Sequence, residues 1–181
     1  MNYENRILND VESNELSKIK LQLNALCKEY NLTTENDLDK RSCIYSRLFG
    51  KFGKNLQIRA PFTCEYGKNI FLGDNVYMNF DCKIEDFAQV VIGNNTLFAP
   101  YVQIRTLDES KNEQQFNIES KRVLIGNSVW VGGGVTIYPG VSIGDNVTIG
   151  AGSVVKNDIP SNCVAVGNPC KVLRYLNNQK K

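Results

Sequence analysis

Val123-Leu-Ile125, Val129-Trp-Val131, Val135-Thr-Ile137, Val141-Ser-Ile143, Val147-Thr-Ile149 and Ser153-Val-Val155 return an aliphatic or small residue every six positions. Three turn-type residues follow each triplet, as in Gly126-Asn-Ser128, Tyr138-Pro-Gly140 and Gly144-Asp-Asn146. A strict six-residue period predicts a parallel β-helix, a solenoid of short strands joined by tight turns. Three units make one triangular coil, and the aliphatic residue of each unit points inward onto its copy one coil away. A β-sandwich with Gly-rich turns would space its strands unevenly, about 8–12 residues apart.

The same beat runs upstream through Ile70-Phe-Leu72, Val76-Tyr-Met78 and Cys82-Lys-Ile84. Two extra residues shift the frame, which resumes with Val90-Val-Ile92, Thr96-Leu-Phe98 and Val102-Gln-Ile104. Cys82 falls on this phase and reads as a small core residue. Residues 105–122 break the period and are polar, which predicts a long inserted loop. Such an insertion in a regular solenoid points to function, because the coils need only short corners; the bland reading is a surface excursion. Downstream, Pro160 and Pro169 end the beat, and Cys170 to Leu176 reads as a strand or short helix along one edge.

Residues 1–55 are different. Leu16, Ile19, Leu23, Leu26 and Tyr30 recur at helical spacing. A second helical pattern runs from Asp37 to Phe49, with Gly50 as its stop. The predicted organisation is therefore an N-terminal helical cap over 1–55, a β-helix over 56–176, and a polar, frayed tail over 177–181.

At 181 residues the chain suits one domain with a sizeable core. Its 21 basic and 19 acidic residues leave a net charge of +2, too little to draw it to nucleic acid or a membrane. There is no run of ~18 apolar residues. Met1-Asn-Tyr-Glu-Asn5 lacks the basic and apolar regions of a signal peptide, so the cytoplasm is the expected location. The six cysteines show no Cys-x-x-Cys spacing and read as reduced thiols, so no metal is expected. Histidine is absent from the chain. That absence removes zinc chemistry through imidazole and leaves any serine nucleophile without its partner.

Several motifs together carry a resemblance. They are Gly126-Asn-Ser-Val-Trp130-Val-Gly-Gly-Gly134, Pro139-Gly-Val-Ser-Ile-Gly-Asp-Asn146, Ile149-Gly-Ala-Gly-Ser-Val-Val155, Asp158-Ile-Pro160 and Val166-Gly-Asn-Pro169. With Tyr66-Gly67, Asn79-Phe-Asp-Cys82 and Ala99-Pro100, they resemble the hexapeptide-repeat acyltransferases, in particular the maltose/galactoside O-acetyltransferase group. The resemblance covers residues 35 to 176. It implies a left-handed parallel β-helix and a homotrimer whose active sites lie in clefts between neighbours. The implied reaction moves an acetyl group from acetyl-CoA to a sugar hydroxyl.

By the same resemblance, Trp130, Gly132, Gly133 and Ala151 match the wall along which the pantetheine arm of CoA lies. Small residues suit a wall where a ligand approaches the backbone closely. Lys156, Lys171 and Arg174 match positions that meet the phosphates and nucleotide, where cations form charge-assisted hydrogen bonds. Singly each cation reads as a solvated charge; in register they read as a site. Asn79 and Asp86 match positions near the sugar, and Glu65 and Tyr77 are candidate lining residues. Asn and Asp also fill β-helix corners for conformational reasons, so both readings stand for these four.

The mechanism implied by the resemblance uses a histidine in the extended loop as general base. Here its place falls on Arg105, Thr106 or Glu109. A positioned base contributes roughly 10²–10⁴-fold, and binding with orientation contributes as much or more. Three readings follow. Asp108 or Glu109 acts as a weaker base in O-acetyl transfer. An amino sugar, whose neutral amine is already nucleophilic, takes the acetyl group instead. Or the chain is a catalytically silent trimeric scaffold that keeps the CoA groove.

Overall fold

The computed structural model describes residues 14–111 and 116–176. The predicted tail 177–181 and the first thirteen residues of the predicted cap lie outside the described residues. Helices α1 (Asn14–Asn31) and α2 (Leu38–Leu48) come first. The first coil carries β1 (Gln57–Ile58) and β2 (Phe62–Cys64). The second carries β3 (Ile70–Leu72), β4 (Tyr77–Met78) and β5 (Cys82–Glu85), and the third β6 (Val90–Ile92), β7 (Leu97–Phe98) and β8 (Gln103–Arg105). A pair, β9 (Leu107–Lys111) and β10 (Phe116–Ser120), interrupts the winding. It resumes with β11 (Val123–Ile125), β12 (Trp130–Val131), β13 (Thr136–Ile137), β14 (Ser142–Ile143), β15 (Val147–Ile149) and β16 (Val154–Val155). Last come β17 (Cys163–Val166) and β18 (Lys171–Tyr175).

These strands form the three faces of the predicted left-handed parallel β-helix. The first face holds β3, β6, β11 and β14; the second holds β1, β4, β7, β12, β15, β17 and β18; the third holds β2, β5, β8, β13 and β16. Inward residues stack on their copies, as in the column Leu72, Ile92, Ile125, Ile143, all buried. Each such side chain contributes about 1.5–3 kcal/mol on burial, so a coil is stable only against its neighbours.

The corner between the first and second faces explains the Gly-Asx-Asn signature. At its middle position, a side-chain oxygen of one coil accepts the backbone N–H of the coil before. Asn94 Oδ1 accepts from Asp74 at 2.7 Å, Asn127 Oδ1 from Asn94 at 2.8 Å, and Asp145 Oδ1 from Asn127 at 2.6 Å. N–H groups that the strand ladders leave over are thus paired. At the third position φ is positive, 56° at Asn75 and 55° at Asn95, a conformation that Asn tolerates best after Gly. At the first position a Cβ on Gly93 would lie 2.6 Å from the Gly126 backbone carbon and oxygen. Gly93→Ala is therefore expected to cost about 1–3 kcal/mol, since backbone cannot step aside. A urea midpoint equal to wild type would contradict that expectation.

The structure adds to three expectations. The inserted segment 105–122 carries a strand pair: β9 and β10 run antiparallel, Leu107 opposite Ser120 and Glu109 opposite Ile118. Pro160 ends the six-residue beat but not the winding, which gives way to the antiparallel β18 only past Pro169. Ile159 still pairs with Ile143, and Cys163 to Ala165 lie beside Val147 to Ile149. Outside the coil that carries the hairpin, where the step is 33 residues, the corner ladder shortens from 20 residues per coil to 18 and finally to 16. The winding also begins before residue 56, because Lys51 pairs with Phe71.

The cap covers the first coil, whose β1 and β2 are the end strands of the second and third faces. Asn31 bonds both ways to Phe62, donating to its carbonyl at 3.0 Å and accepting its N–H at 2.8 Å. The Tyr30 hydroxyl donates to the Ile58 carbonyl, which Arg41 Nη1 also reaches at 3.4 Å. Ile44, Leu48 and Phe49 are buried. Unpaired strand edges are templates for aggregation, and these contacts occupy them.

Candidate active site

On two successive coils the corner between the second and third faces is almost bare of side chains. It consists of Gly132-Gly133-Gly134 on one coil and Gly150-Ala151-Gly152 on the next. Gly132 has no room for a side chain, since a Cβ there would lie 2.5 Å from the Ala151 nitrogen. Gly134 and Gly152, at φ 68° and 70°, face open space. The Gly132 N–H bonds Ile149 and the Gly134 N–H bonds Pro100. Between them, among the described residues, the N–H groups of Gly133 and Ala151 have no hydrogen-bond partner. Two such donors on a bare backbone suit the amide carbonyls of an extended ligand.

Beside this corner the outward column of the second face runs Tyr77, Leu97, Trp130, Thr148, Val164, Arg174 in register. Trp130 is 55% exposed. At ~4.8 Å per strand, Tyr77 lies about 10 Å from Trp130 along the face, and Arg174 about 14 Å on the other side. Lys171 pairs with Val166 at the corner end of β18. Asn79 stands on the same corner two coils earlier, its Oδ1 accepting the Phe80 N–H at 2.9 Å. Trp130, Gly132, Gly133, Ala151, Lys171 and Arg174 are thus gathered on one edge, with Tyr77 and Asn79 alongside.

Glu65, Asp86 and Lys156 are not. They stand on the far edge of the third face, across strands of two to four residues, or about 10 Å. The far ends of these strands and the residues just past them form a column of Glu65, Glu85, Arg105, Tyr138 and Lys156. Glu65 pairs with Lys20 at 3.4 Å. Glu85 accepts from Lys83 and Arg105, each at 2.9 Å. Burial opposes its charge, yet these two bonds hold its carboxyl below the usual range. The Tyr138 ring lies between two cations, 5.9 Å from the Arg105 guanidinium and 5.1 Å from Lys156 Nζ. Tyr138 had no place among the sequence candidates. Its signal is phase, since it comes next after Ile137 just as Arg105 comes next after Ile104, and those two are paired.

Asp86 does not line a surface. It is fully buried, and its Oδ1 accepts the backbone N–H groups of Glu65 and Tyr66, both at 2.9 Å. Among the described residues its Oδ2 has no hydrogen-bond partner. Burial pushes its carboxyl up to about 7 against the backbone bonds that favour the charged form. Thr106, one of three residues at the place of the expected base, is also fully buried. Its hydroxyl donates to the Glu85 carbonyl at 2.5 Å and accepts the Ala88 N–H at 3.0 Å, bracing the enlarged corner. Of the acidic candidates, Asp108 is held by Lys121 at 2.8 Å. Glu109 is exposed and stands 4.0 Å from Arg105.

Comparison with known proteins gives a consistent picture. Residues 122–157 match the family described as bacterial transferase hexapeptide (six repeats). The galactoside O-acetyltransferase of Escherichia coli K12 is 38% identical over 172 residues, covering 92% of this chain and 83% of that protein. The crystal structure of a maltose O-acetyltransferase from Clostridium difficile 630 superposes with a TM-score of 0.88 at 42% identity, covering 92% of this chain and 91% of that one. A galactoside acetyltransferase in complex with coenzyme A gives a TM-score of 0.87 at 35% identity, over 94% of this chain and 86% of that one.

Proposed function

The chain belongs to the hexapeptide-repeat acetyltransferases, and from that premise we propose that it moves the acetyl group of acetyl-CoA to a hydroxyl of a sugar-like acceptor. The observation that carries this reading is the bare corner beside Trp130, with two free N–H donors and with Lys171 and Arg174 in line. Trp130, Gly132, Gly133 and Ala151 hold the pantetheine arm, and Lys171, Arg174 and Lys156 meet the phosphates. The acceptor oxygen attacks the thioester carbonyl carbon, the carbon–sulfur bond breaks, and the CoA sulfur leaves. The hydroxyl proton goes to a carboxylate of the hairpin, Glu109 or Asp108.

The split of the candidates over two edges supports a homotrimer. One copy offers the glycine corner with Tyr77 and Asn79, and its neighbour offers the edge bearing Glu65, Lys156 and the hairpin. Asp86 then acts by shaping the Glu65–Tyr66 corner rather than by touching the acceptor. The cytoplasm is the proposed location. A second reading, N-acetyl transfer to an amino sugar, is favoured by the cations already standing at Asp108 and Glu109. A neutral amine needs less help from a base.

Binding is checked by thermal shift. Acetyl-CoA at 100 times its Kd is expected to add about 2.7 kcal/mol of stability, and native mass spectrometry is expected to show three copies. A protein that neither shifts with acetyl-CoA nor assembles as a trimer would sink the reading.

A further inference from the structure

Among the described residues, one pair of cysteines sets sulfur against sulfur. Cys27 on α1 and Cys64 on β2 are both buried, and their Sγ atoms are 3.7 Å apart. They lie 37 positions apart in sequence. The other thiols have different surroundings. Cys82 donates to the Ala99 carbonyl and Cys163 to the Pro160 carbonyl, while Cys43 is exposed.

We propose that Cys27 and Cys64 form an oxidation site, at which a small peroxide converts the two thiols to a disulfide that latches the helical cap to the first coil. The sulfurs need to close to about 2 Å. The elements that carry them are already docked, since Asn31 of α1 bonds both ways to Phe62 of β2. The closure therefore falls to the side chains and a small shift of α1. Burial selects the oxidant. Hydrogen peroxide is about the size of water and suits two thiols only 5% and 7% exposed better than a bulkier glutathione-type disulfide does.

The chemistry balances with peroxide alone. The Cys27 sulfur attacks one peroxide oxygen and the O–O bond breaks, giving a sulfenic acid and water. The Cys64 sulfur then attacks the Cys27 sulfur, forming the S–S bond, breaking the S–O bond and releasing a second water. Two thiols are oxidised and one peroxide is reduced. Cys27 reacts first because the hydrogen bond from Cys64 holds its thiol below the ordinary range despite burial. The same bond and burial push Cys64 up. The latch also adjoins the acceptor-side corner, since Cys64 precedes Glu65, whose N–H is held by Asp86.

The test uses the full-length protein treated with hydrogen peroxide under native conditions. It is then unfolded in an alkylating agent, digested without reductant and mapped by mass spectrometry. A Cys27–Cys64 linked peptide pair is expected, with Cys82, Cys163 and Cys170 alkylated. The oxidised protein is expected to melt on the order of 5–10 °C higher, because the cross-link restricts the unfolded chain. Dithiothreitol should reverse the gain, and Cys27→Ser should abolish it. Recovery of Cys27 and Cys64 as alkylated thiols, or linkage of either to another cysteine, would overturn the proposal. The comparison of oxidised with reduced wild type stands even if the variant folds poorly.

Discussion

A Lys171→Ala, Arg174→Ala double variant is expected to bind acetyl-CoA on the order of 10²-fold more weakly, with its fold intact. Both residues lie on β18, the last strand of the second face, and both side chains are exposed. Among the described residues neither has an acidic partner within ion-pair distance, so removing them strands no buried charge. A hydrogen bond to a charged group is worth about 1.5–3 kcal/mol. Exposure to solvent trims that figure, and two such bonds then account for roughly two decades in Kd. The loss should be salt-dependent, because phosphate contacts between exposed charges are screened. Calorimetric titration at low and high salt checks this. An unchanged Kd at low salt would mean that the phosphates lie elsewhere.

Asp86→Asn is expected to flatten the dependence of stability on pH. In the folded chain burial raises the Asp86 carboxyl from its ordinary 3.8 to about 7. Between those values the folded state holds a proton that the unfolded state releases. Stability from this group is therefore fully present below the lower value, falls as pH rises through the window, and is flat above it. Asparagine keeps the Oδ1 acceptor for the Glu65 and Tyr66 N–H groups but cannot ionise. Relative to wild type, the variant should gain about 2–4 kcal/mol on going from pH 4 to pH 8. Glu85 titrates in the opposite sense, its folded carboxyl being lowered, but it is present in both proteins and cancels in the difference. Urea denaturation of both proteins across that range is the measurement. Parallel curves would mean that the Asp86 carboxylate is not paying a burial penalty.

The coils were legible because their demand is periodic. An inward residue must recur at each turn, and Val123 to Val155 writes that demand out without interruption. The helical cap was legible for the same reason at a different period. The hairpin was not. Leu107-Asp-Glu-Ser-Lys111 carries no apolar alternation, and what marks it as a strand is its antiparallel pairing with β10. Asp86 shows a second limit. Sequence set it near an acceptor, but the enlarged corner folds its carboxylate inward, and only the third dimension decides which way a corner residue turns. The donor residues were legible as motifs, while their separation from Lys156, Glu65 and the hairpin by one whole face was not drawn from the phase. Cys27 and Cys64 meet only because α1 docks on β2, which no spacing announces.

The central claim is that this histidine-free chain catalyses acetyl transfer. Purified protein would be incubated with carbonyl-labelled acetyl-CoA and matched hydroxyl and amino sugars, and the products weighed by mass spectrometry. Labelled acetate on a sugar hydroxyl, lost in a Glu109→Gln, Asp108→Asn double variant, is the expected result. Label on amino sugars alone would replace O-transfer by N-transfer. No labelled product from any acceptor, with acetyl-CoA bound, would contradict the claim and leave a trimer that keeps only the donor groove.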